Sequence, residues 1–193
     1  MAKPEPAAAG FTVKSGWACA VLIGGQPASP RLIDSRRVEI SDPGIPDAAQ
    51  PYHAGFGTAR DAGNELKRLL SSVRSYGRKS VSAVVREYQK RGNVVAAGVV
   101  VGSLIDPGTI GNDHIRIHAM EGQLFREVLI DAAERNGVTV SVWRERDLYA
   151  AAAKQLKIAE TVLKKRLVAI GENADGGWRA EQKAAALAAW MVL

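Results

Sequence analysis

The chain has 193 residues, 47% of them hydrophobic and 24% charged, which suits one globular domain with a substantial core. Its apolar runs fall far short of the roughly 18 residues a membrane span needs, and a single cysteine, Cys19, excludes an internal disulfide framework. The formal charge of +6 is concentrated: between Arg60 and Arg91, nine basic residues face three acidic ones, and the rest of the chain balances.

Met1–Gly10 is rich in Pro and Ala and is expected to be a disordered tail rather than a cleaved leader, leaving one domain over 11–193. Phe11–Ile23 reads as strand because Trp17, Cys19, Val21 and Ile23 alternate with smaller residues. Cys19 within it reads as a buried structural thiol, consistent with a reducing, cytoplasmic compartment. Gly24-Gly25-Gln26-Pro27 is a turn, and Arg31–Ile40 is a second strand carrying Leu32, Val38 and Ile40. A bend at Ser15-Gly16 would make a three-stranded meander of the two. From Ser41 to Gly57 the chain is rich in Pro, Gly and Asp without periodicity, hence a loop.

Thr58 can cap a helix that begins at Ala59. Leu66, Leu69, Leu70 and Val73 form one apolar face, and Val81, Val84, Val85 and Tyr88 repeat it after Tyr76-Gly77. The pattern predicts two helices, or one broken at Gly77. The run Val94–Val101 is short, apolar and β-branched, as suits a strand buried on both faces. Leu104–Gly111 is a loop, and Asn112 or Asp113 caps a helix over His114–Asn136 that Gly137 stops. Val138–Trp143 alternates as a strand. Leu148–Leu156, Glu160–Ile170 and Ala180–Val192 read as helices, and Trp178 and Trp190 as core or docking residues. The linker Arg144-Glu145-Arg146-Asp147 reads as a salt-bridged connection.

This order predicts an α/β fold and resembles the ribonuclease H-like pattern: an antiparallel meander, then parallel strands, with helices on both faces. Three segments resemble the RuvC-type Holliday-junction resolvases of that superfamily: Ala83–Ala96, Glu121–Tyr149, and Ala152–Ile170 followed by Ala184–Ala188. The resemblance implies cleavage of phosphodiesters by two Mg²⁺ ions. The ions would be held by carboxylates on the first strand, the end of the fourth strand and the last helix. Two such ions, about 4 Å apart, need several converging carboxylates. No Asp or Glu occurs between Phe11 and Arg31 or between Gly92 and Ile105. Lys14 and Gly98 stand near the expected positions, and the last helix offers Glu181 beside Gln182 and Ala185. The resemblance therefore implies the fold without the family's metal-dependent cleavage.

Two features remain as candidate sites. Lys67, Arg68, Arg74, Arg78 and Lys79 belong to the basic segment and suit nucleic-acid phosphates. His114, His118 and Glu121 stand at i, i+4 and i+7, within about 60° on a helix. The core positions Phe125, Val128 and Leu129 continue the same face, so the three polar groups should cluster where a buried face emerges. The expectation is a catalytically degenerate, cytoplasmic, bacterial RuvC-like pseudoenzyme with no cofactor and no resident metal. It would serve as a binding or scaffolding module for nucleic acid or a protein partner. The alternative is an enzyme of another class built on His114, His118 and Glu121.

Overall fold

The computed structural model describes residues 5–55, 58–60, 63–172 and 174–193. Strands β1 (Pro6–Lys14), β2 (Trp17–Gln26) and β3 (Ser29–Glu39) form an antiparallel meander. Helix α1 (Asn64–Arg91) leads into β4 (Asn93–Val101), and α2 (Asp113–Glu134) leads into β5 (Thr139–Arg144). Three helices follow: α3 (Leu148–Leu156), α4 (Glu160–Ile170) and α5 (Ala180–Met191). The sheet runs β3-β2-β1-β4-β5, with β4 parallel to both β1 and β5. This is the mixed ribonuclease H-like sheet that the element order predicts.

Strand alternation sorts the side chains between two cores. Phe11, Val13, Leu22, Val99 and Val101 pack under α1 and α2, against Val73, Val85, Phe125 and Leu129. Cys19, Val21, Ile23 and Val100 face the other way, toward α3, α4 and α5. Burial pushes the Cys19 thiol up to about 12, with the Glu181 charge adding to it, so it is an inert core group. Helix α5 is buried almost all round and lies directly on the central strands. A Cβ at Gly10 would stand 1.9 Å from the Ala185 carbonyl oxygen, and one at Gly98 would stand 2.3 Å from that of Ala188. Only glycines on β1 and β4 and alanines on α5 permit this approach.

Five expectations change. Pro6–Gly10 are strand residues rather than tail, and Asn93 N–H donates to the Glu5 carbonyl oxygen; Met1–Pro4 lie outside the described residues. The hairpin turn tightens to Pro27-Ala28, since Gly24–Gln26 pair with β3. Helix α1 begins at Asn64 rather than Ala59, because Ala59 bridges to His53 and the backbone of Thr58 is committed to a turn with Ala54 and Gly55. Gly77 does not break α1. A Cβ there would stand 2.6 Å from Val128 Cγ1 and 2.7 Å from Ile40 Cγ2, so the glycine marks where α1 crosses its neighbours. Strand β4 is buried on both faces only in its second half, since Val95 is 58% exposed.

Candidate functional site

Helix α2 starts where Asn112 Oδ1 accepts the Ile115 N–H, an N-cap that sets its first turn beside the C-terminal ends of β1 and β4. His114 and His118 project from the exposed part of this turn, with their Nε2 atoms 3.3 Å apart. One turn deeper, the Glu121 side chain is only 1% exposed. A third imidazole completes the group from far away in sequence. His53 Nδ1–H donates to Glu121 Oε1 (2.8 Å), and its ring centroid lies 4.9 Å from that of His118 and 6.2 Å from that of His114. All three histidines of the chain therefore meet at one place.

The loop that brings His53 is held by its own backbone. His53 N–H donates to Gln50 O, Ala54 N–H to Thr58 O, and Arg60 N–H to Tyr52 O. Sequence reasoning missed His53 because the loop has no periodicity, and 61 positions separate it from His114. The usable signal was compositional: a buried helix face bearing two histidines, and one further histidine to pair with it. Burial pushes the Glu121 carboxyl above its ordinary value, and the hydrogen bond and charge of His53, then the charge of His118, only partly oppose this. Glu121 Oε2 is buried with no hydrogen-bond partner among the described residues, and His118 Nδ1 lies 4.0 Å from it.

His118 also lines a cavity of about 370 Å³ at the mouth between β1 and β4. Its walls are mainly apolar (Val13, Val101, Ile105, Ile110, Ile115), with Lys14 as the other ionisable group. At the end of β1, Lys14 Nζ pairs with Glu145 of the β5–α3 connection at 3.4 Å. Arg144 and Arg146 bind Asp147 in the same connection, as a salt-bridged linker requires. On α5, the Glu181 carbonyl oxygen accepts the Thr12 hydroxyl (3.0 Å), and Gln182 caps its own helix through Arg179 N–H. Trp190 is buried with its indole N–H on Pro27 O, and the Trp178 indole N–H donates to Leu167 O. Both tryptophans are docking residues.

The basic segment forms a shallow groove along the outer face of α1. Lys67, Arg74, Arg78, Lys79 and Arg86 line it, interleaved with Ser71, Ser75 and Ser82. Arg86 joins this set without having been expected, and Arg68 is exposed outside the lining. Arg78 shares its charge with Asp131 of α2 at 3.1 Å. Among the described residues, Lys67, Arg68, Arg74, Lys79 and Arg86 are exposed with no carboxylate at ion-pair distance. From Lys67 to Arg86 the stripe runs about 29 Å at 1.5 Å per residue.

No protein-family model matches the chain, and no curated protein matches it in sequence. Solved structures do resemble it. A Thermus thermophilus RuvC structure superposes with a TM-score of 0.54 at 15% identity, covering 96% of this chain and 92% of the other. The T. thermophilus RuvC in complex with a Holliday junction substrate gives 0.55 at 15% identity, with the same coverage. The fold is RuvC-like. Among the described residues, the one group of three or more His, Cys, Asp or Glu side chains able to converge on an ion is His53, His114 and His118. No helix of the structure is long and apolar enough to cross a membrane.

Proposed function

We propose that this RuvC-like domain binds nucleic acid through the outer face of α1 and does not cut it by two-metal chemistry. The observation that carries the reading is the groove of five cations on α1, four of them free of carboxylate partners among the described residues. Each exposed cation on a phosphate releases a condensed counterion, so such a surface binds by salt-sensitive electrostatics. Arginine and serine are both suited to phosphate oxygens, which position the nucleic acid without reading its sequence.

The loss of cleavage is supported by packing. Where the resemblance asks for a carboxylate on β4, the Gly98 position is already filled by the Ala188 backbone of α5. At the mouth of β1 stands a cation, Lys14, already paired with Glu145. A Mg²⁺ pair needs oxygen ligands and neutralising charge, and these residues supply neither.

The T. thermophilus RuvC complex suggests the probe, a four-way DNA junction beside a plain duplex. Fluorescence anisotropy should show binding at about 50 mM salt that weakens by orders of magnitude by about 200 mM. The Lys67→Glu/Arg74→Glu/Lys79→Glu variant should bind at least tenfold more weakly and lose roughly one unit of salt slope per phosphate contact removed. Absence of binding at low salt would sink the interface. Mg²⁺-dependent cleavage of the junction would sink the non-catalytic half of the reading.

A further inference from the structure

We infer that His53, His114 and His118 form a binding site for a divalent transition-metal ion of the Zn²⁺ type, with Glu121 as its positioning residue. The sequence offers only two histidines in one helix turn, from which no resident metal is expected. The fold adds the third, from a loop held in place by its own hydrogen bonds.

The geometry fits such an ion in three respects. One ring nitrogen from each histidine lies within 4.8 Å of the others. A tetrahedral ion with Zn–N bonds of about 2.1 Å sets its nitrogens about 3.4 Å apart. His114 and His118 already stand at 3.3 Å, and no pair has to close by more than about 1.4 Å. The exposed His114 ring is free to supply much of that movement.

The second respect is tautomer control. His53 donates its Nδ1–H to Glu121, and His118 turns Nδ1 toward the same carboxylate. For His53 this leaves Nε2 as the lone-pair donor, while His118, at 4.0 Å too far from Glu121 for a hydrogen bond, already has its Nε2 beside that of His114. A ligating imidazole held through its other nitrogen by a carboxylate is the arrangement that fixes ring orientation and raises ligand basicity.

The third respect is charge. Glu121 is buried, lacks a cation able to neutralise it fully, and keeps Oε2 unpartnered among the described residues. A dication bound to the histidines above it would supply the missing positive field. The donor set is all nitrogen, which selects Zn²⁺, Co²⁺ or Ni²⁺ over Mg²⁺. Bound there, the ion would fasten the β3–α1 loop to the first turns of α2, and three protein ligands would leave one position for water or another ligand.

The test uses the full chain freed of metal with a chelator. Calorimetric titration with Zn²⁺ should give about one ion per chain, and Co²⁺ should give a visible absorption spectrum of a nitrogen-ligated ion. His53→Ala and His114→Ala should each weaken Zn²⁺ at least tenfold and erase the Co²⁺ spectrum. Glu121→Gln should keep all three ligands yet bind about 10- to 100-fold more weakly. His114 is exposed, so its variant should match the parent in circular dichroism without metal, which keeps the test clear of misfolding. Junction binding by α1 should not change in His114→Ala, so a failure here is separable from a failure of the nucleic-acid reading. No Zn²⁺ binding by the parent, or equal affinity in His53→Ala, would overturn the site.

Discussion

Two acidic corners of the molecule invite comparison: the part-buried Asp34 on β3 and the fully buried Glu121 on α2. Burial works to raise both carboxyls. At Asp34 it loses. Arg36 donates twice (2.6 and 2.7 Å), Tyr88 O–H donates at 2.8 Å and Arg91 at 2.9 Å, and together they hold the carboxyl below its usual range. At Glu121 burial wins, because one imidazole donates and one oxygen is left over. The first corner is closed on itself, locking the edge strand to α1, and nothing remains for a ligand to do. The second holds an unmet electrostatic demand beneath three ligand-type side chains, which is how binding sites differ from structural networks.

The comparison can be broken most forcefully at Asp34. Asp34→Ala would leave the buried Tyr88 hydroxyl without its acceptor and take one of two carboxylates from Arg36 and Arg91, which keep Glu87, and should cost about 2 kcal/mol in a urea titration. Glu121→Gln should move the other way without metal, adding about 1 kcal/mol at neutral pH by removing a poorly compensated charge. Equal losses from the two would show that Glu121 is as well satisfied as Asp34.

The pH dependences should also be opposite in sign. Asp34 has its carboxyl lowered by folding, so its stabilisation is present above the unfolded value near 3.9 and is lost as pH falls through the lower folded value. Glu121 has its carboxyl raised, so the fold is favoured below the unfolded value near 4.3 and loses stability as pH climbs through the folded value. Melting temperatures of Asp34→Asn and the parent should therefore converge on acidification. Those of Glu121→Gln and the parent should diverge as pH rises from about 4 to 8, the variant being the more stable.

Tyr88→Phe sharpens the closed corner. It removes one hydrogen bond to Asp34 and should cost about 1 kcal/mol. The smallest effect belongs to the open corner, where His114→Ala should change metal-free stability by less than about 0.5 kcal/mol. A large loss there would mean that the histidines hold the fold and are not waiting for a ligand.

How far the sequence alone leads differs between elements. The bounds of α3 and α4 follow from apolar spacing and agree with the structure residue for residue, because these helices pack through one face each. Helix α1 was harder. Local propensity argues for a break at Gly77, and only the crossing with Val128 and Ile40 explains why a glycine sits in an unbroken helix. Pro6–Gly10 look like a tail by composition, yet small residues are what a strand beneath α5 requires. The His114/His118/Glu121 face could be read from helical spacing. Its partner His53 could not, since no local pattern encodes the meeting of a loop with a helix begun 60 positions later.

The glycine–alanine seam between the sheet and α5 limits which substitutions the chain can accept. An acidic side chain could not simply be added to the central strands beneath α5. Gly98→Glu would drive a side chain into the Ala188 backbone, and α5 would have to lift before any ion could enter. Any such substitution would first meet a less stable protein, so change at the seam needs a matching change on α5. The seam is closed to single substitutions, and new chemistry in this chain has an easier path through the histidines outside it.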